Sequence, residues 1–355
     1  MLSNYIYFFH DFSSNKNDEQ LTNYRQGISA DTSSNAAVHH VVSSTFFSLN
    51  EIANADKIRE LNDRSVNNRF YIFDTVERLQ IAEILEATDI HMDTGIINSN
   101  TDKLLLTFEK CNLTYLDIHL KSLSCSRKYI LQLIEFYRYL VGSIDLLVCN
   151  KMVHNNINFN TIVVDGAFNL PILTNFMYSI DFSLLQKIDF KQYFLLKKLN
   201  MFCPVEFYLL QYQLTNNLSS LSLYNIETVL KQFIKDHSIF LNVLNVLNDD
   251  AKLLDDGLKF FARYTNKSFD ENLTETFTHC WTWDNYALSI VYLKILIGLQ
   301  RVINASNKFI ISFMKLLVDN IRLDPSKRHL PKISSFEDLL KTIELVDFKQ
   351  LVDLL

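Results

Sequence analysis

Apolar residues recur at three- and four-residue intervals through "RKYILQLIEFYRYLVGSIDLLV". Ile130, Leu133, Ile134, Tyr137, Leu140, Val141 and Ile144 fall on one side of a 3.6-residue helix, giving it a broad apolar face. Residues 226–247 and 283–303 carry the same period, and the chain after about residue 184 reads as helical throughout. Before residue 108 the texture differs. Residues 70–73 and 104–108 are short apolar or aromatic runs of strand length, while 56–63 and 76–87 carry helical spacing. Residues 162–164 and 172–173 flank the turn-like "DGAFNLP" and predict a hairpin. Residues 15–34 are polar, lack any period and read as a mobile loop. The order is mixed α and β first, then mostly α. It predicts an α+β fold with an N-terminal part over 1–108 and a helical part over 109–355, and no internal repeat.

Composition narrows the function classes. The 355 residues are 48% hydrophobic, enough for a large core in one domain or two lobes. A net charge of -6 gives no electrostatic case for nucleic acid or an anionic membrane surface. The five cysteines, Cys111, Cys125, Cys149, Cys203 and Cys280, show no CxxC spacing, so neither a zinc site nor a disulfide framework is implied. The start, "MLSNYIYFFHDF", lacks the basic lead of a signal peptide. The apolar run 287–299 is interrupted by Lys294 and is too short to span a bilayer. The expectation is a soluble, cytoplasmic protein.

Four stretches carry candidate chemistry: "VHNNINFNTIVV", "LPILTNFMYSI", "CWTWDNYALSIVYLKIL" and "NIRLDPSKRHL". In this order and spacing they resemble, respectively, the protein-kinase catalytic loop, its metal-binding segment, the start of its central C-lobe helix and its late Asp-Pro-x-x-Arg turn. The subgroup resembled is the divergent kinase-like proteins of large nucleocytoplasmic DNA viruses, for which "WDNYxLS" and a Pro-x-Glu, here Pro204 and Glu206, are typical. The resemblance covers about residues 104–340. It implies a protein-kinase-like fold with a reduced or atypical mixed N-terminal lobe and a mostly helical C-terminal lobe.

Position by position, the resemblance keeps the scaffold and loses the chemistry. Phosphoryl transfer needs a carboxylate to accept the substrate proton, and carboxylate and Asn oxygens to hold magnesium. Asn156 stands at the base position, Asn158 at the phosphate-contacting Lys, Thr161 at the metal-binding Asn and Asn175 at the metal-binding Asp. A register shift would offer Asp181 instead. A phosphate-cradling loop needs closely spaced glycines, yet Gly27 and Gly95 are the only ones before residue 140. Lys57 and Lys103, the nearest stand-ins for the N-lobe lysine, read as solvated surface residues. By contrast, the resemblance implies that His154 is the structural His of the loop, that Asp284 accepts backbone N–H groups from 154–156, and that Arg328 pairs with Glu206.

The ordinary roles of these residues are a core or surface His at 154, a capping carboxylate at Asp284 and an exposed loop at 324–328. His39, His40, His91 and Asp93 lack metal-ligand spacing. Asp249, Asp250, Asp255 and Asp256 read as a solvated acidic face. No metal or cofactor is expected. The reading is a pseudokinase: a catalytically inactive scaffold that binds another protein, in a viral factory or virion, with no nucleic acid and no membrane span. The alternatives are an unconventional Ser/Thr kinase using Asp181 and a helical virion protein without kinase ancestry.

Overall fold

A computed structural model describes residues 38–65, 67–79, 102–109, 111–123, 126–237, 239–240, 253–303 and 308–341. The fold is α+β. Contacts divide the chain into two units, 1–119 with 163–177 and 120–162 with 178–355. The division therefore differs from a single cut at residue 108, because residues 109–119 and the hairpin 163–177 go with the first unit.

The described part of the first unit holds two sheets. β1 (Val38–Ser43), β4 (Lys103–Phe108) and β3 (Thr75–Leu79) form an antiparallel sheet with β4 in the centre. Leu104, Leu106 and Phe108 alternate inward on β4. Phe108 is stacked by Tyr71 and met edge-on by Phe73 and His40. Residues 75–79 are thus a strand, not the start of a helix: "TVERL" pairs along β4 from Thr75↔Thr107 to Leu79↔Lys103, and that pairing overrides its helical spacing. The rest of the 76–87 expectation lies outside the described residues, as does 15–34. The second sheet runs β2 (Phe70–Tyr71), β8 (Leu170–Thr174), β7 (Ile162–Asp165), β5 (Leu113–Tyr115). β7 and β8 are the expected hairpin. Gly166 sits in its turn because a Cβ there would come within 2.8 Å of the Asn112 amide.

Helix α1 (Phe46–Asp63) is longer than the 56–63 expectation. It starts at a capping box, in which Thr45 and Ser48 each accept the other's backbone N–H. Its buried positions, Glu51, Asn54, Ala55, Ile58 and Leu61, follow one face. α2 (Leu116–Ser122) follows β5.

The described part of the second unit is helical apart from the short pair β6 (Met152–Val153) and β9 (Ile180–Asp181). In α3 (Ser126–Cys149) all seven residues of the apolar face are buried. Tyr137 of that face meets Tyr292, Phe313 and Phe336 edge-on with ring centroids 4.7–5.0 Å apart, which places the core between α3 and the later helices. These are α4 (Phe190–Leu196), α5 (Val205–Thr215), α6 (Leu223–Asp236), α7 (Leu253–Phe261), α8 (Phe269–Phe277), α9 (Trp283–Ile303), α10 (Lys308–Asn320) and α11 (Ile333–Lys341). α6 ends at Asp236 rather than continuing to 247: His237 leaves the helical region at φ -111, ψ 80, and residues 241–247 lie outside the described residues. No helix among the described residues is long and apolar enough to cross a membrane.

Candidate functional site

The loop 154–161 follows α3 through a turn at Lys151, with φ 57, and β6, which pairs antiparallel with β9. His154 is fully buried. Its backbone N–H donates to Asp284 Oδ2 at 2.6 Å, and its ring Nδ1 accepts the Asn156 N–H at 3.2 Å. The accepting role of Nδ1 puts the neutral ring's proton on Nε2. Asn155 has φ 57, in the left-handed region that Asn tolerates better than other side chains. Every polar group of Asn155 but its side-chain carbonyl has a named partner. Its N–H donates to Asp284 Oδ1 at 2.7 Å, its Nδ2 to Tyr193 Oη at 2.5 Å, and its carbonyl accepts from Lys197 Nζ at 2.8 Å. Tyr193 in turn donates to the Tyr178 carbonyl at 2.7 Å.

Asp284 therefore holds the N–H groups of 154 and 155, while the N–H of 156 turns inward to His154. This differs from the expected hold over all three residues, because the left-handed Asn155 reverses the direction of the next amide. Burial raises the Asp284 carboxyl to about 6, against the lowering pull of the two N–H donors and the Lys197 charge.

The side chains of Asn158 and Thr161 bond within the loop. Asn158 Nδ2 donates to the Asn156 carbonyl at 2.8 Å, and Asn158 Oδ1 accepts the Asn160 N–H at 2.8 Å. Thr161 Oγ1 donates to the Asn156 carbonyl at 2.7 Å and accepts the Asn158 N–H at 3.0 Å. The positions compared with a kinase's base, lysine and metal ligand thus carry neutral side chains, and those of Asn158 and Thr161 brace the turn.

Glu206, in the first turn of α5, and Arg328 come together across 122 residues. Nη1 meets Oε1 at 2.6 Å and Nη2 meets Oε2 at 2.9 Å. Both side chains are buried. Trp283 Nε1 donates to Glu206 Oε1 at 3.1 Å, and Arg328 Nε donates to the Arg322 carbonyl at 2.7 Å. The guanidinium also lies 5.0 Å from the Tyr286 ring centroid. The start of α9 accordingly supplies two anchors: Trp283 to the ion pair and Asp284 to the loop.

Asn175 belongs to the first unit. It is buried with φ 63. The residues after it are tied to α1, since Glu51 Oε1 accepts the Phe176 N–H and Asn50 Nδ2 donates to the Met177 carbonyl, each at 2.9 Å. Asp181 is buried in β9 and accepts from Ser183 N and Oγ at 2.9 and 2.7 Å, an arrangement that caps a turn. Lys57 is half-buried. Lys103 is not solvated: it is 3% exposed, with Nζ 3.0 Å from Ser43 Oγ, because the β1–β4 register sets the two residues opposite one another. His40 packs on Phe108, while His91, Asp93, Asp249 and Asp250 lie outside the described residues. Asp255 and Asp256 pair with Lys259 and Lys327 at 2.5 and 2.8 Å.

Sequence reasoning missed three residues. Lys197 is 2% exposed and stacks 3.9 Å from the Tyr178 ring centroid. Burial lowers its ammonium to about 8, opposed by the nearby Asp284 carboxylate. In "LLKKLN" nothing separates it from the exposed Lys198. Tyr193 is likewise one of many tyrosines. Glu51 did carry a signal: it stands four and seven residues before Ala55 and Ile58, a carboxylate inside an apolar stripe.

No protein-family model matches the chain, and no curated protein matches it. Among solved structures the chain is similar to the crystal structure of a Toxoplasma gondii specific rhoptry antigen kinase domain. The TM-score is 0.43 and the identity 12%, covering 90% of this chain and 74% of that one.

Proposed function

We propose that the chain is a kinase-like module that does not transfer phosphate and works by binding another protein. One observation carries the reading. The side chains of Asn156, Asn158 and Thr161 are neutral, and those of Asn158 and Thr161 are bonded into the loop's own turn, while the anchors that hold such a loop, Asp284 and the Glu206–Arg328 pair, are intact. An amide cannot act as a general base near neutral pH, and a bracing hydroxyl is a poor magnesium ligand. A scaffold kept without its reactive groups fits a binding role, here placed with the divergent kinase-like proteins of large DNA viruses that the "WDNYALS" and "CPVE" stretches resemble. The test is transfer of γ-labelled phosphate from ATP, with magnesium, to the protein itself and to generic substrates. The expected signal is that of buffer. Transfer that disappears in Asp181→Ala would instead establish the unconventional kinase.

A further inference from the structure

Within the second unit, a small open pocket lies between the 154–158 loop and the 197–203 segment. Its polar lining comes from Asn155, Asn156, Asn158, Lys197, Lys198 and Asn200, and its apolar wall includes Trp283. No acidic residue lines it.

Lys197 is the unusual member. An ammonium has three N–H donors. One goes to the Asn155 carbonyl at 2.8 Å, and the Tyr178 ring face lies 3.9 Å away. Among the described residues no carboxylate stands within ion-pair distance of it, and both Asp284 oxygens accept loop N–H groups. A cation that is 2% exposed and has no ion partner is costly, and its lowered pKa reflects that cost. An arriving anion would restore the balance and make a charge-assisted bond.

We propose that this pocket is a subsite for a single oxyanion group, a carboxylate or a phosphate, presented by the binding partner. The partner clause rests on the binding role proposed above, but oxyanion capture itself does not depend on it. Trp283 lines the pocket and serves as the probe. The full chain, in a Trp281→Phe background, is titrated at constant ionic strength with inorganic phosphate, with a Glu-rich peptide, and with chloride and the matching Gln-rich peptide as controls. Saturable fluorescence changes are expected with phosphate or the Glu peptide and not with the controls. A response to phosphate assigns the site to phosphoryl groups, and a response to the Glu peptide alone assigns it to protein carboxylates. Lys197→Met keeps the apolar stem, and Asn156→Asp adds a charge on the half-exposed side of the loop. Each should weaken binding about tenfold, the scale of one lost charge-assisted contact. Binding should also fade as pH rises past about 8, where Lys197 loses its proton. Unchanged affinity in both variants, or a response equal to that of chloride, would overturn the proposal. Phosphotransfer activity, measured separately, bears only on the inert-module reading.

Discussion

Replacing Arg328 with Ala removes one half of a buried, bidentate ion pair. Glu206, 1% exposed in the intact protein, then keeps a single described donor, Trp283 Nε1. The Arg322 carbonyl loses its partner too, and Tyr286 loses the guanidinium over its ring. Breaking a buried pair on one side costs about 3–5 kcal/mol, mostly because the surviving charge is left desolvated. The Glu206→Gln/Arg328→Met double variant removes both charges at similar volume and should recover most of that loss. Trp281 and Trp283 are the only tryptophans of the chain, and both lie in the second unit, so their fluorescence in a urea titration reports that unit alone. The single variant should move the midpoint far more than the double. A single variant within about 1 kcal/mol of wild type, or a double variant whose loss equals the sum of the single ones, would refute the reasoning, since it would mean that the two residues are not coupled.

Three further outcomes are expected. Asp284 has its carboxyl raised from 3.8 to about 6, so the folded state holds its proton more tightly than the unfolded state does. The associated stability is full below pH 3.8 and is lost as pH rises through 6, a change of about 3 kcal/mol for two pH units; the stability difference between wild type and Asp284→Asn should trace that slope. Lys197 is shifted the other way, to about 8, so its contribution is full above its ordinary 10.5 and is lost as pH falls through 8, a trend that Lys197→Met should flatten in thermal melts. Asn155→Val should destabilise more than Asn155→Gly by at least about 1 kcal/mol, because a β-branched side chain is strained at φ 57 and glycine is not.

Much of the helical unit was legible because period alone decides it. The face of α3 is continuous, and every member of it is buried. Strand β3 was not legible: its five residues take their conformation from the ladder with β4, a partner more than twenty residues away. The anchors Asp284, Glu206 and Arg328 had no local signature and were reachable only through the resemblance, since each meets its partner across more than 120 residues. Lys197 was out of reach altogether. Its neighbour Lys198 has the same side chain and nearly the same flanks, and only the packing of Tyr178, Tyr193 and Phe207 around one of them makes it a buried cation.

The start of α9 has a consequence for biosynthesis. The loop at His154 takes its hold from Asp284, 130 residues later. At ribosomal speeds of about 5–20 residues per second, that carboxylate is made about 6–26 s after the loop it fastens. Through that interval β6 and the loop have their own sequence but not their clasp, and the buried lysine has no aspartate nearby to share its field. A nascent chain halted before residue 283 should therefore engage chaperones and be cut readily near residue 155, and one extended past α9 should resist.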